Sequence, residues 1–198
     1  MPASLRKITL EDILPDAEFS RLRRERRAAL LPVKRLRRVA LGPYCTFYFE
    51  SFDTMLFQVQ EMLLTERGGP EQVADEMAAY NPLIPQGSEL IATIMFEIQD
   101  PVRRDRVLSG LGGVEGHFQI RIGEDSITGV PESDVERSRE DGRTSSVHFL
   151  RFPFSAAQIA AFRSGQAPVT IVCDDARYAH RAGLSAETRT ELARDFSA

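Results

Sequence analysis

One pattern occurs twice in the second half of the chain, and it limits the fold more than any other feature. Residues 89–99 read as a strand, Asp100 as a helix N-cap with Pro101 behind it, residues 102–108 as a helix, Gly110 as its stop, and 116–122 as a strand. Residues 146–154, Ser155, 156–163, Gly165 and 169–173 repeat the order. In both units the terminating glycine stands ten residues after the cap, within LSG and RSG. Two β-α-β units in tandem are the wiring of a ferredoxin-like sandwich, an antiparallel sheet with helices on one face. The fold class is therefore α+β. Ferredoxin-like wiring is one arrangement of it, and coincidence of common caps and glycines is the competing explanation for the repeat.

Before this comes a helix–strand–helix extension. Residues 9–31 carry Phe19, Leu22, Ala29, Leu30 and Val33 at helical spacing, with Pro15 breaking the opening turn. Residues 38–50 alternate as a strand: Cys45, Phe47 and Phe49 on one face, and Tyr44, Thr46, Tyr48 and Glu50 on the other. Gly42-Pro43 marks a bend. Asp53 is positioned to cap a helix over 54–67, and a second helix runs over 71–80. The turn-forming YNPLIPQG follows. Residues 123–143 form a charged, turn-rich linker, and a closing helix lies within 185–196. With 198 residues, 42% hydrophobic and 27% charged, the chain suits one domain: a basic helical arm at 1–36, strand–helix–helix at 37–88, the tandem units at 89–174, and the C-terminal helix at 175–198.

The sequence shows no signal peptide and no apolar run long enough to cross a bilayer, so a cytoplasmic protein with reduced thiols is expected. Its charge is uneven. Residues 21–38 hold nine basic side chains against Glu25 alone, a charge of +8, which leaves −12 for the rest of a chain whose net charge is −4. Arg23, Arg24, Arg26, Arg27, Arg35, Arg37 and Arg38 are the candidate partner-binding residues. Internal pairing with the acidic body is the alternative. Nucleic acid is the weaker target, because no aromatic interleaving or reading motif accompanies the arginines.

Chemistry is sought first in residues 53–67, DTMLFQVQEMLLTER. On a helix, Thr54, Gln58, Glu61 and Thr65 fall within about 60° of one another, while most of the remaining circumference is apolar. The stripe is either a solvated face or the lining of a polar site, since an unpaired buried Glu61 would be costly. Glu50 lies one corner away. Glu50 and Glu61, with His148, form the candidate ligand set for a divalent metal such as iron, manganese or zinc. His148 alternates with Leu150 and Phe152, which puts it on a buried sheet face and equally allows a satisfied core histidine. No GxSxG, P-loop, GxGxxG or HExxH motif is present, so no catalytic residue is assigned and enzyme status stays open. Acids beside Cys173 disfavour its thiolate.

Four blocks in order, RRVALGP (37–43), Glu50 with Asp53-Thr54 through FQVQEML (57–63) to Glu66-Arg67, YNPLIP (80–85) and TSSVHFLRF (144–152), make the chain resemble the bacterial family called domain of unknown function 3501. The blocks span nearly its whole length. Arg38, Glu50, Gln58, Glu61, Asn81 and His148 fall at positions that match, and Asn81 joins the polar-site candidates with them. The resemblance implies no defined activity. It implies a setting near peroxide or redox metabolism. The leading expectation is accordingly an accessory or binding protein that serves a redox or iron–sulfur partner through the basic arm. The alternatives are a metal-binding protein or metal-dependent enzyme, and nucleic-acid binding.

Overall fold

Strand β3 (Glu89–Phe96) explains the architecture, because both of its faces are buried. Leu90, Ala92, Ile94 and Phe96 point one way and are buried; Ile91 and Met95 point the other. A strand of this kind needs cover on both sides. In the structure, a computed structural model that describes residues 2–132 and 142–197, it is the centre of a five-stranded antiparallel sheet with a second sheet on one side and helices on the other.

The first sheet has the order β1-β2-β3-β7-β6, from β1 (Arg38–Leu41), β2 (Cys45–Phe49), β3, β6 (Val130–Pro131) and β7 (Val147–Pro153). The second has the order β5-β4-β8-β9, from β4 (Phe118–Ile122), β5 (Asp125–Thr128), β8 (Val169–Cys173) and β9 (His180–Gly183). The sheets share one core. Phe47, Phe49, Leu90, Ile94, Leu150 and Phe152 of the first meet Phe118, Ile120, Val169 and Ile171 of the second. Phe47 and Phe118 bridge the layers edge to face, with ring centres 5.5 Å apart. Phe154, Phe162 and Phe196 close one end as a mutually touching trio.

The far side of the first sheet carries a separate core. There α2 (Phe52–Glu66) sets Phe52, Met55, Val59 and Leu63 against Ile91, Leu83, Ile84 and Phe149, with α3 (Gly69–Tyr80) alongside. Helix α2 starts at Ser51 and not at Asp53. Ser51 Oγ accepts from the Thr54 N–H and Thr54 Oγ1 accepts from the Ser51 N–H, a capping box that the more exposed Asp53 cannot form. Helix α1 (Asp16–Leu36) begins after Pro15, runs through Pro32, and lies outermost; of its own residues only Phe19 is buried.

The α+β class and the antiparallel sheets are as the sequence suggests, and the ferredoxin-like wiring is not. Both β-α-β units form, with α4 (Pro101–Ser109) and α5 (Ala156–Ser164) as their helices. Each helix carries the chain from the first sheet to the second. The two opening strands pair as β3·β7 and the two closing strands as β4·β8. A ferredoxin-like unit returns to its own sheet and leaves one sheet face uncovered, which the two-faced β3 does not permit. Part of the expected linker is also strand: β5 and β6 occupy 125–131, while 133–141 lie outside the described residues. The bend at Gly42 splits the expected 38–50 strand into the β1–β2 hairpin. Gly42 has φ +67°, and a Cβ there would stand 2.3 Å from the His180 ring. The chain closes with α6 (Ala186–Leu192). Among the described residues no helix is long and apolar enough to cross a membrane.

Candidate functional site

The outer face of the first sheet does not pack flush against α2. A cavity of about 280 Å³ remains between them, lined by Glu50, Thr54 and Gln58, by Thr93, Met95, Val147 and Phe149 of the sheet, by Tyr48 and Tyr80, and by Lys34 and Arg37. Strand alternation and helical periodicity together produce this. Glu50 leaves the end of β2 on the face opposite Phe49, Thr93 is its neighbour on β3, and Thr54 follows one turn into α2.

Glu50 is the floor, only 8% exposed. One carboxylate oxygen accepts from Thr54 Oγ1 at 2.7 Å and the other from Thr93 Oγ1 at 2.6 Å. Its backbone is fixed as well, since its N–H donates to the Ile91 carbonyl at 2.8 Å and its carbonyl accepts from Arg37 Nη2 at 2.7 Å. Among the described residues no cation pairs with the carboxylate itself. Burial raises the Tyr80 phenol pKa, opposed by a hydrogen bond with Gln58. Burial, then a hydrogen bond to Glu97 at 2.7 Å, raises that of Tyr48.

The sequence candidates divide sharply. Glu50, Thr54 and Gln58 come together on the cavity wall. Glu61 does not reach it: Arg23 of α1 grips its carboxylate through Nε at 2.7 Å and Nη2 at 2.6 Å, and this bond holds the Glu61 pKa below the usual range. The 100° step that aligns Glu61 with Gln58 also turns it toward α1, so Glu61 is neither waterlogged nor part of the site. Asn81 is spent on local structure, with Nδ2 donating to the Ile8 carbonyl and Oδ1 accepting from the Ile8 N–H. His148 pairs in register with Ile94 and is fully buried on the opposite face of the sheet, edge-on to Phe96 and near Thr144, Ser145 and Glu115. The set Glu50, Glu61 and His148 is therefore not assembled. Among the described residues no three His, Cys, Asp or Glu side chains come together as metal ligands.

The arginines also divide. Arg37 is buried and its guanidinium is fully committed inside: to the Phe49 carbonyl at 2.9 Å, to the Glu50 carbonyl, to Glu191 at 3.2 Å and to Asp195. Two carboxylates thus share one guanidinium, and burial pushes Asp195 up to about 6. Arg23 belongs to Glu61. Arg38 is exposed and paired with Glu97 at 3.2 Å. Arg24, Arg26, Arg27 and Arg35 are exposed, and among the described residues their side chains make no ion pair. Sequence reading assigned Arg37 to a partner because its charge was visible and its acids, more than 150 positions away, were not. Thr93 was missed although a signal existed, since it is the one polar residue in an apolar run between Ile91 and Met95. Cys45 and Cys173 are free and buried, and burial pushes the Cys173 thiol up to about 11.

Fold and site together define a two-sheet α+β protein with a small, mostly apolar cavity built on a buried carboxylate. The chain belongs to the family of proteins of unknown function DUF3501, whose model matches residues 7–196. It is similar to a solved structure described as a novel protein of unknown function from Burkholderia pseudomallei K96243, with 30% identity, a TM-score of 0.89, and coverage of 96% of this chain and 100% of that one. A search of curated proteins finds no match.

Proposed function

We propose that this chain is an accessory binding protein whose ligand is a small organic molecule held between α2 and the first sheet. The observation that carries this reading is Glu50, a deeply buried carboxylate that lines open space and makes no ion pair among the described residues. Folding alone gains nothing from such a group: burial of an unpaired charge costs several kcal/mol, and an apolar residue would close the gap. Ligand pockets have the composition seen here, apolar and aromatic walls with a few converging polar groups. At about 280 Å³ the space suits a fragment-sized molecule. A fragment library screened by protein NMR tests the reading. It predicts shifts centred on Glu50, Thr54, Thr93 and Phe149, and a screen in which no fragment moves these signals would remove it.

A second surface supports the partner-binding side of the same proposal. Arg24, Arg27 and Arg35 recur at helical spacing on the outer side of α1, with Leu31, 47% exposed, among them. Basic residues around an apolar anchor suit an acidic protein surface, the chemistry a redox or iron–sulfur partner would offer. Binding to a purified acidic iron–sulfur protein should weaken with salt and be lost on reversing the charge of these three arginines. Binding that survives the reversal contradicts it.

A further inference from the structure

We infer that the cavity takes an organic cation, an ammonium group carried on an apolar or aromatic body; this rests on the cavity being a ligand site at all. The argument begins with the charges. Of the two basic residues on the wall, Arg37 is not available, because its donors go to two backbone carbonyls and to Glu191 and Asp195. Lys34 stands exposed at the rim, where its charge acts on Glu61, and among the described residues it makes no ion pair with Glu50. Among the described residues the Glu50 carboxylate is therefore held by two threonine hydroxyls beside the start of α2 and by no ion pair. Each of its oxygens has accepted one hydrogen bond, from Thr54 and from Thr93. A carboxylate accepts about four, so N–H donors can still be received.

The other walls select the rest of the ligand. Tyr48, Tyr80 and Phe149 present rings, and Met55 and Met95 present polarisable thioethers. Aromatic faces attract cations, and methionines adapt to irregular apolar shapes. An anion would meet Glu50 with like charge. A bare divalent cation would find one carboxylate where zinc takes four ligands and calcium or magnesium six or more. An ammonium with an alkyl or aryl body satisfies both halves of the cavity, restoring charge balance at the floor and covering the walls.

Four probes of similar shape test this on the full chain: benzylamine, benzyltrimethylammonium, benzyl alcohol and benzoate, titrated by calorimetry and followed by NMR at Thr93 and Phe149. The two cations should bind at least tenfold tighter than benzyl alcohol, and benzoate should not bind. Glu50→Gln, which can still accept from a threonine, should cost the cations tenfold or more and benzyl alcohol less than threefold. Should that variant not fold, Lys34→Ala at the rim replaces it, with at least twofold tighter cation binding expected. If benzyl alcohol or benzoate occupies the cavity as tightly as the cations, or neither variant changes cation affinity, the cation inference is overturned and the ligand cavity stands. If none of the four moves the cavity signals, both fall.

Discussion

The two faces of the first sheet bury similar side chains to different ends. On the inner face Phe47, Leu90, Ile94, Leu150 and Phe152 are at 0% exposure and pack in one core with the second sheet. That face also holds a polar residue, His148, and surrounds it with Thr144, the Ser145 carbonyl and Glu115. On the outer face the corresponding polar residue is Glu50, which receives two hydroxyls and then open volume. Close packing is the ordinary state of an interior, and buried charge is ordinarily paired. The face that departs from both rules is the one on which function is to be sought.

The comparison is sharpened first where the largest effects are expected. Phe47→Ala on the inner face removes a ring in contact with Phe49, Phe118 and Phe152 and should cost about 3–5 kcal/mol of unfolding free energy in chemical denaturation. Thr93→Val on the outer face should cost less than about 2 kcal/mol, because it removes one hydrogen bond beside existing space. Equal losses would erase the distinction between the faces.

Arg37→Ala should cost about 3–5 kcal/mol, since it strands two buried carboxylates, Glu191 and Asp195. Asp195 should titrate near 6 in carbon-detected NMR, against an ordinary value of 3.8. The raised value means that the folded state holds this proton more tightly than the unfolded chain. The contribution of Asp195 is thus most favourable below its ordinary value, and stability falls as pH rises through 6, by up to about 3 kcal/mol. Asp195→Asn should flatten that slope between about pH 4 and 6. Arg23→Ala is the smallest perturbation. It should return the Glu61 pKa toward the ordinary carboxylate range while leaving stability almost unchanged, because Arg23 is exposed and the pair is screened by solvent.

Local patterns were legible in the sequence and distant pairings were not. The alternation of 44–50 placed Phe47 and Phe49 on one face and Glu50 on the other, and the helical wheel of α2 put Thr54 and Gln58 toward Glu50, because each depends on a single element's period. The same wheel misplaced Glu61, since its fate was decided by Arg23 on another helix. His148 was read correctly as a buried sheet residue; its membership of a set with Glu50 failed because Glu50 lies opposite Ile91 and His148 opposite Ile94, positions an odd number of residues apart that face opposite ways. The repeat was visible as two β-α-β units, but whether their strands share one sheet depends on what covers β3, which no local motif records. Strand β9 lies within 175–198, the stretch assigned to the C-terminal helix: HRAG has little strand character and is held by pairing with β8.

The most direct test of the account is the thermal stability of Glu50→Gln at neutral pH with no added ligand. If the carboxylate is kept for a ligand at the expense of the fold, removing its charge should raise the melting temperature by a few degrees, as losing a functional but strained group often does. A fall of several degrees would show that Glu50 serves the structure itself and would contradict the claim that it is kept for a ligand.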